Sequence, residues 1–112
     1  MTREQGALLR GILSVTARAA FPPSDLAKLV VKGRNPKKQV AAFNLCDGTR
    51  TQGEVAKALK LDSGNFSRML ARWIASGIVL KLGDARDARL LHVYPLDAAT
   101  AARNGSKNGG SR

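Results

Sequence analysis

Apolar residues recur at helical spacing through about the first two thirds of the chain and then switch to a strand-like run. Leu8, Leu9, Ile12, Leu13, Val15, Thr16 and Ala19 fall three and four apart, the stripe of an amphipathic helix over residues 2–20. Thr2 with Gln5 three positions on has the spacing of a capping box, so the helix starts there. Phe21-Pro22-Pro23 stops it, because a residue before proline is pushed out of helical geometry. A shorter helical segment, about Ser24 to Val31 with Leu26, Leu29 and Val30 apolar, ends at Gly33. Asn35-Pro36 starts the next helix, with Asn as cap and Pro in the first turn, where its missing N–H costs nothing. That helix runs to about Cys46 with Val40, Phe43 and Cys46 on one side, and Asp47-Gly48 closes it. Thr51 and Glu54 form a second capping box, opening a helix through Leu59 that buries Val55, Ala56 and Leu59. After a turn at Leu61-Asp62-Ser63, with either Asp62 or Ser63 as cap, the strongest helix runs to Ser76 and puts Phe66, Met69, Leu70, Trp73 and Ile74 on one face.

Gly77 ends that helix and the period changes. Ile78 to Leu82 is rich in strand formers, Gly83 to Asp87 is a polar turn, and Arg89 to Tyr94 returns as a second strand stopped by Pro95. The pattern therefore predicts a mainly α fold with a small β-hairpin. A helix, a short helix, a tight turn, a long helix and a hairpin follow one another in the order of a winged helix-turn-helix, here with an extra N-terminal helix. The expected division is an N-terminal helical extension over 1–34, a winged helix-turn-helix over 35–96 and a flexible polar tail over 97–112.

Charge gives the first indication of a partner. The 112 residues hold 19 Lys and Arg against 8 Asp and Glu, a net charge of +11, which implies a polyanion and most often nucleic acid. A single cysteine, Cys46, and a single histidine, His92, leave no disulfide framework and no four-ligand zinc site within one chain. They also supply no nucleophile-base pair, so no enzyme, no cofactor and no metal are expected. Cys46 reads as a small buried hydrophobe, Trp73 as a core residue and His92 as a strand residue without a role in chemistry. Arg3, Arg10 and Arg18 interrupt the N-terminal apolar residues, which breaks both a signal-peptide core and a membrane span. The expectation is a soluble cytoplasmic protein associated with the nucleoid and not with a membrane.

If the apolar face of the long helix points inward, Ser63, Gly64, Asn65, Ser67, Arg68 and Arg72 point outward. No acidic residue occurs from Ser63 to Gly83. These side chains carry the donors and acceptors that reading base edges in a major groove requires: Asn65 suits adenine, Arg68 guanine or phosphate. Lys28, Lys32, Arg34, Lys37 and Lys38 form a second run without an acid, suited to gripping phosphates beside the groove. The segments Thr51 to Leu61, Asn65-Phe66-Ser67-Arg68-Met69-Leu70 continuing to Ser76-Gly77-Ile78-Val79, and Asp84-Ala85-Arg86-Asp87-Ala88-Arg89 together resemble the MarR-type transcriptional regulators, over roughly Asn35 to Leu96. That resemblance implies a DNA-binding regulator in which Arg86 and Arg89 of the wing contact DNA and Asp84 and Asp87 support them.

The expected function is thus a transcriptional regulator that reads double-stranded DNA through Ser63, Asn65, Ser67, Arg68, Arg72, Lys37, Lys38, Arg86 and Arg89. The alternative is an architectural winged-helix module that binds protein or RNA without selecting an operator. The N-terminal stripe either closes the core or packs against its twin in a second chain. Leu8, Leu9, Ile12, Leu13 and Val15 exceed what one small domain needs to cover, which favours a homodimer.

Overall fold

Three of the five helices among the described residues begin with a side chain occupying an unpaired backbone N–H, as the sequence predicts; the computed structural model describes residues 2–97. In α1 (Arg3–Ala20), Gln5 N–H donates to Thr2 Oγ1 at 3.1 Å and Thr2 N–H to Gln5 Oε1 at 3.0 Å. In α4 (Gln52–Ala58), Thr51 and Glu54 repeat that exchange at 3.3 and 2.8 Å. Asp62 caps α5 (Ser63–Ala75) by accepting Asn65 N–H at 2.8 Å, which decides between the two caps the sequence left open.

The remaining helices start differently. α2 (Pro23–Val30) follows Pro22, with a proline in its first turn. α3 (Pro36–Leu45) follows Asn35, which takes a left-handed conformation at φ 63° and makes no side-chain cap bond, so the expected Asn cap is not formed. Buried Gln39 holds that corner instead. Its Oε1 accepts Lys32 N–H at 2.9 Å, and its Nε2 donates to the carbonyls of Lys32 and Arg34.

The hairpin strands β2 (Val79–Lys81) and β3 (Arg89–His92) pair antiparallel with Leu80 opposite Leu91, and Leu82 N–H donates to Arg89 O at 2.8 Å to extend the ladder. A third strand, β1 (Asp47–Thr51), pairs with β3 on its other side, giving the order β1-β3-β2. The sequence pattern reads Asp47-Gly48 as the close of one helix and Thr51 as the cap of the next, with no strand between them. Asp-Gly-Thr-Arg-Thr has no apolar alternation because pairing with β3, not burial of its side chains, makes it a strand. Gly48 takes φ 93°, a left-handed conformation that favours glycine, while a Cβ there would meet Leu91 Cδ1 at an ordinary contact distance of 3.6 Å.

The resulting order, α3-β1-α4-α5-β2-β3 with β1 against α4 and β2 against α5, is a winged helix preceded by two further helices. Its core centres on Trp73, which meets Phe43 edge-on at 5.4 Å and Phe66 at 6.2 Å. Leu26, Ala27 and Val30 of α2 enter the same buried cluster. The Trp73 indole N–H donates to Val30 O at 3.1 Å, satisfying a carbonyl that the end of α2 leaves open. Further along, the Asn44 side chain clasps Leu96 with bonds of 2.9 and 2.8 Å to its carbonyl and N–H.

α1 joins this core through little of its surface. Ala17 is its only buried residue, with Leu13 and the following Phe21 partly covered; Tyr94 Oη donates to Phe21 O, and the Arg18 guanidinium lies 4.3 Å over the Tyr94 ring. Leu8, Leu9, Ile12 and Val15 remain 67, 46, 58 and 73% exposed. Within α5, Ile74 is 37% exposed and so departs from the inward face expected for it. Among the described residues no helix is long and apolar enough to cross a membrane. The tail expected over 97–112 lies, past Asp97, outside the described residues.

Candidate nucleic-acid interface

The candidate interface centres on α5. Burial of Phe66, Leu70 and Trp73 on one side rotates Ser63, Asn65, Ser67 and Arg68 to the exposed side, where all four stand open to solvent. The Arg68 guanidinium donates to Asn65 Oδ1, linking these two side chains. Gly64, between the cap and this pair, adds no side chain to the first turn.

Arg72 behaves differently from the expectation that it points outward. It is half-buried; its Nη2 donates to Val30 O at 3.0 Å, beside the Trp73 indole, and its Nε is buried without a hydrogen-bond partner. Burial holds the guanidinium below its ordinary range. Its position is one step past the exposed face of the helix, where a long side chain can fold back onto the end of α2.

Two further surfaces flank α5. A cleft of about 220 Å³ is lined by Arg34, Lys38 and Lys60 together with Asn65. Lys37 and Lys38 lie exposed in the first turn of α3, where the unpaired N–H groups add to the positive field. Lys60 was not among the residues singled out from the sequence. It ends the α4 turn at φ 54°, a conformation unusual for a residue with a Cβ, and only the fold carries it to this cleft.

On the other flank, the wing tip exposes Arg86 and Arg89. No ion pair joins either arginine to Asp84 or Asp87 among the described residues, so the supporting role implied for those acids is not seen as a salt bridge. Arg86 and Asp87 instead border a cleft shared with Ser63 and the start of α4, which brings the wing tip and the α5 N-terminus to one opening. Arg89 faces Glu54, whose carboxyl is held below its usual range first by the Thr51 N–H bond and further by the charges of Arg89 and Arg50.

The groups with more familiar chemistry are committed to the interior. Cys46 is fully buried, its thiol donates to Ala42 O at 3.4 Å, and burial, reinforced by the Asp47 charge, pushes its pKa up to about 12. His92 stacks on Phe43 at 5.4 Å; burial lowers its pKa, and its Nδ1 has no hydrogen-bond partner. No cluster of three or more metal-ligating side chains occurs among the described residues.

No protein-family model matches the chain, and no curated protein matches it. Among solved structures, it is similar to the multiple antibiotic-resistance repressor MarR from Listeria monocytogenes 4b F2365, at 18% identity and a TM-score of 0.44, over 97% of this chain and 73% of that one.

Proposed function

We propose that this protein is a DNA-binding transcriptional regulator that reads duplex DNA with the Ser63–Ala75 helix in the major groove and sets the 78–94 hairpin on the flanking backbone or minor groove. The observation that carries this reading is the placement of cations around α5: Arg68 on its exposed face, Arg34, Lys38 and Lys60 in the cleft on one side, and Arg86 at the opening on the other. In this reading Ser63, Asn65, Ser67 and Arg68 meet base edges, while Lys37, Lys38, Lys60 and the wing arginines meet phosphates. Arg72 acts as a structural tie.

Residues 35–96 form the reading unit, and 1–34 supplies the contact between subunits. The occupant of the Leu8, Leu9, Ile12 and Val15 face is a second copy of α1. An uncharged strip repeated at i, i+4 and i+7 on an 18-residue helix packs on its own two-fold mate, and two reading helices then suit a two-fold DNA site.

The test is binding of fluorescent duplex DNA at increasing salt. The logarithm of affinity is expected to fall steeply with the logarithm of salt, and Lys37→Ala or Lys38→Ala to reduce that slope by about one each across all sequences. Affinity independent of salt overturns the reading.

A further inference from the structure

The side chains of Asn65 and Arg68 are not independent. Asn65 Oδ1 accepts a guanidinium N–H from Arg68 on the exposed face of α5. The turn beneath them is built to allow it. Asp62 Oδ2 holds the Asn65 backbone N–H at 2.8 Å, fixing where the Asn side chain departs from the helix. At Gly64 an added Cβ would stand 3.3 Å from Asp62 Oδ2 and 3.8 Å from Arg68 Nη1, so the guanidinium lies back along the first turn over a position that carries no side chain. Arg68 has no carboxylate within salt-bridge distance among the described residues, and its remaining N–H groups stay available.

We propose that Asn65 and Arg68 act as one donor-rich unit that selects guanine over adenine at the base pair beneath the first turn of α5, an inference that rests on α5 being the groove helix. An asparagine reads adenine by turning its oxygen to the N6 amino group and its NH₂ to N7. Here that oxygen already faces a guanidinium, whose N–H groups would meet the amino hydrogens of adenine head-on. Guanine presents two acceptors side by side, N7 and O6, and these match the Arg68 N–H groups and the Asn65 NH₂. The hydrogen bond within the pair thus exchanges the usual asparagine preference for a guanine preference, and it orients the arginine before DNA arrives.

The experiment is selection of bound duplexes from a random library by the full chain, by Asn65→Ala and by Arg68→Ala, with folding of each variant verified by circular dichroism. Both substitutions are on exposed positions. The unaltered chain is expected to enrich guanine over adenine at one position per half-site by about 5- to 150-fold, the range of a good bidentate contact. Arg68→Ala frees Asn65 Oδ1 and is expected to turn the preference at that same position to adenine; Asn65→Ala is expected to weaken the guanine preference without reversing it. An enriched motif that lacks this guanine, or that keeps it in Arg68→Ala, overturns the pair and leaves α5 as the groove helix. Failure to retain any duplex overturns the groove-helix reading and the pair with it.

Discussion

Val30 O accepts two donors from neighbouring residues of α5, the Trp73 indole N–H at 3.1 Å and Arg72 Nη2 at 3.0 Å. This shared acceptor makes a quantitative prediction. Trp73→Phe removes one bond, about 1 kcal/mol, and leaves a small cavity worth on the order of 1 kcal/mol, so the loss is about 2 kcal/mol. Arg72→Leu removes a charged donor, but the site is half-exposed and the change also relieves a buried, unpartnered Nε, so the net loss is about 1 kcal/mol. In either single variant the other donor still satisfies the carbonyl. In the double variant Val30 O is orphaned at the junction of α2 and α5, which adds about 1–3 kcal/mol beyond the sum. Urea unfolding followed by far-UV circular dichroism measures all four corners of the cycle. Additivity to within about 0.5 kcal/mol refutes the shared-acceptor account. The same variants separate the two roles of Arg72: a structural tie leaves the salt slope of DNA binding where it was, whereas a phosphate contact lowers it by about one.

Ile12→Asp and Val15→Asp are each expected to halve the mass seen by light scattering while changing monomer stability by less than about 0.5 kcal/mol, because both side chains stand exposed; an unchanged mass removes α1 as the subunit contact. His92 is held neutral by burial, with a folded pKa below its ordinary value of about 6.5, so the unfolded chain takes up its proton first as pH falls. Its contribution to stability is present above that pH and lost on the way down to the folded pKa, and His92→Gln is expected to flatten this decline in urea midpoints; a decline of unchanged steepness contradicts it. Cys46, with its thiol pushed up to about 12, is expected to resist a thiol reagent at neutral pH until the chain is unfolded in urea. Rapid labelling of the folded protein contradicts that burial.

Legibility in the sequence followed how local the deciding physics was. Thr2 with Gln5, Thr51 with Glu54 and Asp62 before Ser63 each act within one turn, and each of these starts is readable from spacing alone. The order of helices before the hairpin was readable for the same reason. β1 was not, since its strand character comes from β3, roughly forty positions later in the chain. Asn35 carries the composition of a cap, but the corner is held by Gln39 bonding back to Lys32 and Arg34, a contact that spacing does not announce. On the exposed face of α5, Ser63, Asn65, Ser67 and Arg68 follow directly from helical period. Arg72 and Lys60 do not: the first is drawn inward by the end of α2, and the second is delivered to the α3 cleft by a left-handed turn.

The central claim is that one face of the molecule, with α5 at its middle, meets duplex DNA. Titrating the isotopically labelled protein with a selected duplex and following its backbone amide resonances tests this residue by residue. The largest shifts are expected at Ser63 to Arg68, at Arg34, Asn35, Lys37, Lys38 and Lys60, and at Arg86 to Arg89. Largest shifts along Leu8 to Val15 with α5 unmoved would contradict it.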